Sequence, residues 1–170
     1  MDQPLPLLTD HLRLRPLTLH DVDPLLAILG DAATMRWYPK PYERDGVISW
    51  IERARDSYEA NGFGLLAVEE RTTGEFLGDC GPTVQPVDGE LHVELGWHVR
   101  RDRWGQGIAT EAGAASRDWA FGPLRIDHVI SLIRPENRQS WRVAEKLGMT
   151  VWKETQHAGL RHIVYRLDRG

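Results

Sequence analysis

With 170 residues, 41% hydrophobic and 27% charged, the chain has the size and balance of one soluble globular domain, residues 1–170. A net charge of −4 argues against a general nucleic-acid binder, and a single cysteine, Cys80, excludes an intrachain disulfide or a cysteine metal cluster. No run approaches about 18 apolar residues, and Met1-Asp-Gln-Pro4 leads from no basic segment into an apolar one. The expectation is a cytoplasmic chain with no membrane, nucleic-acid or metal partner.

The first predicted element is a short strand at His11–Arg15, where polar and apolar residues alternate. Thr18-Leu-His-Asp21 is a capping box with Leu17 and Val22 as its staple, opening a helix that buries Val22, Leu25, Leu26 and Leu29 and ends at Gly30. A second helix is predicted from Glu43 to Ala60, with Val47, Ile48, Ile51, Ala54 and Tyr58 inward. Between them, Arg36, Trp37, Tyr38, Lys40 and Tyr42 form either a substrate lip or a surface turn packed by its own rings. Phe63–Glu70 and Glu75–Val84 read as a hairpin through Arg71–Gly74, and Pro86–Gly89 as the turn into a strand at Glu90–Val99.

On that strand His92, Glu94, Gly96 and His98 share one face, and Leu91, Val93, Leu95, Trp97 and Val99 the other. The second face belongs to the core. The first is either a solvent-facing polar row or a site offering a carboxylate and imidazoles to an amine. Then comes Val99–Ala120, an arginine-flanked Gly105-Gln-Gly107 turn opening a helix that buries Ile108, Ala112, Ala115 and Trp119. The amides of Trp104 to Ala109 fall where a helix begins and lack intrahelical acceptors, which suits a phosphate; a plain glycine turn is the alternative. A Walker loop needs Lys-Ser/Thr where Ile108-Ala109 stand, and the dinucleotide fingerprint needs glycine or alanine at Thr110.

A strand at Ile126–Ile133 follows, so strand–helix–strand implies a parallel pair. Asn137–Leu147 is a helix capped by Asn137 and ended by Gly148, with Ser140, Val143, Ala144 and Leu147 on one face. The Ser140 hydroxyl either bonds back to a helix carbonyl or serves the site. Thr150–Gln156 and Arg161–Asp168 close the chain as an antiparallel pair.

The segment Asn137-Arg-Gln-Ser140-Trp-Arg-Val-Ala144-Glu-Lys-Leu-Gly148-Met149 has the form N-x-x-S-x-x-x-x-E-K-x-G-[FM]. Together with the Gly-x-Gly helix some thirty residues earlier, it resembles the GNAT superfamily of acyl-CoA-dependent N-acetyltransferases. The branch it looks most like acetylates the N-termini of ribosomal proteins.

The resemblance implies an α/β fold, a mixed central sheet of about six to seven strands with helices on both faces. A splayed parallel pair would hold acyl-CoA. It implies transfer of acetyl from acetyl-CoA to a primary amine, on a peptide N-terminus or a small molecule, and a homodimer. A CoA-binding sensor without transfer activity and a transferase using succinyl-CoA are the alternatives.

By resemblance Glu94 is the base, with His98 as second candidate, and a bulge in the strand would decide which faces the site. Ser140 would donate to the departing sulfur, since Ala144 stands where many members have a tyrosine. Trp97, His98, Val99, Arg101, Arg103, Trp104, Gly105, Gln106, Gly107, Ile108, Ala109, Thr110, Asn137, Ser140 and Lys146 would hold the co-substrate, and Val99 would offer its amide to the oxyanion. Trp37, Tyr38 and Glu94 would meet the acceptor. Asp102 departs from the pattern, since a carboxylate there repels a diphosphate unless turned away. Arg36, Lys40 and Arg44 near the lip argue against polycationic acceptors.

Overall fold

A computed structural model describes residues 5–170; the leader-free reading of residues 1–4 lies outside them. In chain order the elements are β1 (Leu7–Leu8), β2 (Leu12–Pro16), α1 (Val22–Leu29), α2 (Arg44–Asn61), β3 (Leu66–Glu70), β4 (Phe76–Val87), β5 (Glu90–Val99), α3 (Ile108–Phe121), β6 (His128–Ile133), α4 (Arg138–Lys146), β7 (Thr150–His157) and β8 (Leu160–Asp168). One sheet of eight strands runs in the order β1-β2-β3-β4-β5-β6-β8-β7. All neighbours are antiparallel except β5 and β6.

The sheet exceeds the expected six to seven strands because β1 adds a two-residue edge strand, too short to show any period. Strand β4 runs on to Val87, so the expected Pro86–Gly89 turn contracts to Asp88-Gly89. Both residues have positive φ, 50° and 87°, as a two-residue hairpin of matching twist requires.

Alternation along β3 divides the core. Leu66 and Val68 pack with Leu12, Leu14, Leu77 and the α3 residues Ile108, Ala112 and Trp119. Ala67 faces the other way, against Leu25 and Leu29 of α1 and Val47, Ile51 and Ala54 of α2. Helices thus cover both faces, and a strand buried on both sides reads as an unbroken apolar run. Each leucine so buried stabilises the fold by about 1.5–3 kcal/mol.

The start of α1 is tied to β2 more firmly than the capping box alone implies. The Asp21 carboxylate accepts the Thr18 amide at 2.9 Å and takes two Arg15 guanidinium nitrogens at 2.8 Å each. Arg15 also reaches Glu69 on β3 at 2.7 Å.

The feature that positions the site is the junction of β5 and β6. Glu94 opposite Ile130 is the one register pair the two strands share among the described residues. Beside it the Ser131 hydroxyl donates to the Leu95 carbonyl at 2.8 Å, and beyond it the strands part toward Val99 and Ile133.

Candidate active site

The gap between β5 and β6 opens into a cavity of about 730 Å³. Glu94, Gly96, Trp97 and His98 of β5, Leu132 and Ile133 of β6, and Asn137 and Ser140 of α4 line it, with Trp37, Tyr38 and Trp50 across. Glu94 and Ser140, which lie 46 residues apart in the sequence, thus share one chamber.

The β4–β5 register is unbroken from Gly78↔Val99 to Val87↔Glu90, so β5 carries no bulge against its neighbour. Glu94 and His98 therefore both face the cavity. The expected faces hold as register but not as exposure: His92 and His98 are buried, whereas Leu91 is 73% exposed. Leu91 stands at the start of the strand beside the Asp88-Gly89 turn. The polar row is not a solvated face.

Glu94 Oε1 accepts the Leu132 amide at 3.2 Å. Burial pushes its carboxyl up to about 7, against the opposing pull of the Leu132 amide. A carboxyl poised there is half ionised near neutral pH and suits proton abstraction.

His98 holds a line of side-chain bonds that the sequence reading missed. Its Nδ1 lies 2.8 Å from Asp79 Oδ1, and its Nε2 lies 2.6 Å from the Tyr38 hydroxyl. Trp50 Nε1 donates to the other Asp79 oxygen at 2.8 Å. Asp79 is fully buried in β4. An acid in an otherwise apolar strand, Leu77-Gly-Asp79-Cys-Gly81, was the available signal, since a buried charge needs partners.

Ser140 is half-buried at the start of α4. Its amide donates to Asn137 Oδ1 at 3.3 Å and its hydroxyl oxygen accepts Asn137 Nδ2 at 3.1 Å. Among the described residues the hydroxyl proton meets no carbonyl of the preceding turn, so back-bonding to the helix does not account for it.

The amide of Arg100 donates to the Leu77 carbonyl at 2.9 Å. Bonding alternates along an antiparallel ladder, so the Val99 amide turns away from β4 toward the gap. Trp104 Nε1 donates to the Val99 carbonyl at 2.7 Å, fixing the strand end against the glycine turn.

Gly105 and Gly107 have φ of 76° and 79°, and Gly107 is the N-cap of α3. Among the described residues the amides of Gly105, Gln106, Gly107, Ile108, Ala109 and Thr110 donate to no backbone acceptor outside a helix; the first bond of the helix is Glu111 to the Gly107 carbonyl. Nothing lies within 4 Å of where a Cβ would stand on either glycine, so the outer side of the loop is open. This set of donors fits a diphosphate.

The arginines divide. Arg101 is exposed and only loosely paired, 3.6 Å from Asp31. Arg103 is committed to Glu70, at 3.0 Å, and to Glu75, and its Nε donates to Gln106. Arg100 grips Asp102 through two bonds of 2.8 Å, so the feared carboxylate is neutralised. Lys146 is exposed at the far end of α4 and is not brought to the cavity. Of the lip cations, Arg36 lies over the Trp37 ring at 4.5 Å and Arg44 pairs with Asp23 at 2.6 Å. Neither they nor Lys40 line the cavity, so they say nothing about acceptor charge; Arg53 and Arg134 line it, as do Asp56 and Glu94.

A fold with one parallel pair splayed beside a glycine-capped helix defines an acyltransferase of the GNAT type, and the family comparison agrees. The family model described as acetyltransferase (GNAT) domain matches residues 11–150, and the chain belongs to that family. The uncharacterized protein YkkB of Bacillus subtilis (strain 168) is 34% identical over 144 residues, 84% of this chain and 84% of that protein. Among solved structures, an acetyltransferase from Agrobacterium tumefaciens superposes with a TM-score of 0.83 at 29% identity, covering 97% of this chain and 95% of that one. RimL, a ribosomal L7/L12 α-N-protein acetyltransferase solved with coenzyme A, shares the fold with a TM-score of 0.76 at 16% identity, covering 94% of this chain and 95% of that one. Among the described residues no helix is long and apolar enough to cross a membrane.

Proposed function

We propose that the protein transfers acetyl from acetyl-CoA to a primary amine by direct attack, with Glu94 as base and Ser140 as hydrogen-bond donor to the departing sulfur. The observation that carries this reading is their meeting in one cavity, at the mouth of the gap between β5 and β6. The RimL complex supports the donor, because that protein of like fold was solved with coenzyme A. It also favours a protein N-terminus as acceptor.

When bound, acetyl-CoA supplies a thioester carbonyl and a sulfur leaving group. The amides of Gly105 to Thr110 and the Arg101 guanidinium would hold its diphosphate, each charge-assisted bond being worth about 1.5–3 kcal/mol. The Val99 amide is turned to donate to the carbonyl oxygen as charge develops on it. Glu94, ionised in about half of the molecules near neutral pH, takes a proton from the amine. Ser140 would donate a hydrogen bond to the sulfur, which departs as a thiolate and keeps the electron pair of the broken bond, and Asn137 Nδ2 steadies the serine oxygen. An α-amine of pKa about 7.7–8.0 is partly neutral already, so a base of modest strength suffices, whereas a lysine near 10.4 asks more.

The test is an acceptor screen with acetyl-CoA, reading free thiol against peptides with free α-amines, amino acids and aminoglycosides. Acetylation of the peptide α-amine is expected. Coenzyme A binding with no thiol release above hydrolysis for any amine would leave a binding module and refute transfer.

A further inference from the structure

With the His98 ring neutral, chemistry fixes the hydrogen-bond directions in the line from Trp50 to Tyr38. An indole nitrogen can only donate and a carboxylate can only accept. Trp50 Nε1 therefore donates to Asp79 Oδ2, and the opposite oxygen, 2.8 Å from His98 Nδ1, takes a proton from the ring. In a neutral imidazole one nitrogen carries the proton and the other accepts. Nε2 is then the acceptor, and at 2.6 Å the Tyr38 hydroxyl must donate to it.

The consequence lies on the other side of Tyr38. With its one proton committed to His98, the phenol oxygen has only lone pairs left to present. Tyr38 lines the same cavity as Glu94. Burial raises the Tyr38 hydroxyl well above its ordinary range, and the nearby Glu94 charge adds to it, so the phenol keeps its proton. Two oxygen acceptors, one carboxylate and one phenol, then face the space an acceptor would enter.

We infer that Asp79 and His98 act as positioning residues that hold Tyr38 as a hydrogen-bond acceptor, so that Tyr38 and Glu94 together receive two N–H groups of a primary amine. This deepens the function proposed above and rests on it. A secondary amine, with fewer N–H groups to give, would lose the Tyr38 bond. Tyr38 thereby selects the acceptor without taking part in proton transfer.

The experiment has two arms. In the first, long-range proton–nitrogen NMR of the full chain, without substrates, reads the His98 tautomer. The Nδ1-protonated form is expected in the wild type, and the Nε2-protonated form in Asp79→Asn, whose amide can donate to Nδ1. An Nε2-protonated or doubly protonated wild-type ring would overturn the relay.

In the second arm, acetyl-CoA is used with a serine-initiated hexapeptide and with its N-methylated counterpart. Tyr38→Phe should raise KM for the free-amine peptide about tenfold, change kcat less, and leave the coenzyme A Kd as it was. It should also shrink the preference for the free amine over the N-methyl amine. An unchanged peptide KM, or an equal loss of coenzyme A affinity, would overturn the role of Tyr38. If Asp79→Asn does not fold, Tyr38→Phe and the wild-type tautomer still decide the matter. Wild-type protein that binds coenzyme A and acetylates no amine would instead refute the function above, a different failure from turnover indifferent to Tyr38→Phe.

Discussion

Glu94 Oε1 accepts the Leu132 amide at 3.2 Å, across the place where β5 and β6 cease to pair. A side chain occupies the position that a ladder carbonyl would take in a continuous sheet, and the bond aims the carboxylate into the cavity. With its carboxyl pushed up to about 7, Glu94 should give kcat/KM a rising limb near that pH. Glu94→Gln should remove the limb, leave only the titration of the amine, and lower kcat/KM by about 10²-fold. A pH profile of both proteins with one peptide acceptor checks this.

The same group makes a stability prediction of opposite character. The folded carboxyl keeps its proton up to about 7, while in the unfolded chain it releases it near its ordinary value of 4.5. Between those values the folded state binds more protons, so the Glu94 contribution to stability falls as pH rises through that window. Glu94→Gln should therefore be more stable than the wild type at pH 8, by about 1–3 kcal/mol, and the difference should close near pH 4. Urea denaturation at the two pH values measures it.

Ser140→Ala deletes a hydroxyl whose proton meets no helix carbonyl and leaves the Asn137 cap bond to the residue 140 amide intact. The expected result is a kcat lower by about 10- to 100-fold with little change in acetyl-CoA affinity. Steady-state kinetics beside calorimetric binding separates the two. Unchanged turnover would remove Ser140 from the chemistry.

Gly107 caps α3 at φ 79°, where a side chain costs roughly 1–2 kcal/mol. Gly107→Val should relax that angle and misalign the amides after it, weakening coenzyme A by about tenfold while the fold survives, since nothing packs within 4 Å of the site. Thermal protection by coenzyme A reports the loss. At 100 times its Kd the wild type should gain about 2.7 kcal/mol.

Gly78 is required for space. A Cβ there would stand 1.9 Å from the His98 carbonyl oxygen. Gly78→Ala must push β5 away from β4 beside His98, costing about 1–3 kcal/mol and disturbing the bond from His98 to Asp79. Denaturation midpoint and peptide KM should both move.

The sequence by itself determined the elements other than the two-residue β1, the glycine-capped helix, the Asn137 cap and the family, because each depends on residues close together in the chain. Helical and strand periods, a capping asparagine and a Gly-x-Gly turn act over a few residues, and their spacing survives in one dimension. What only the tertiary structure decided were the partners. Asp79 meets His98 through strand register, Tyr38 meets His98 across a loop, and Arg103 is claimed by Glu70 and Glu75 from a different hairpin. Even the faces of β5 were readable while their burial was not, because alternation is a property of the strand and covering is a property of what packs on it.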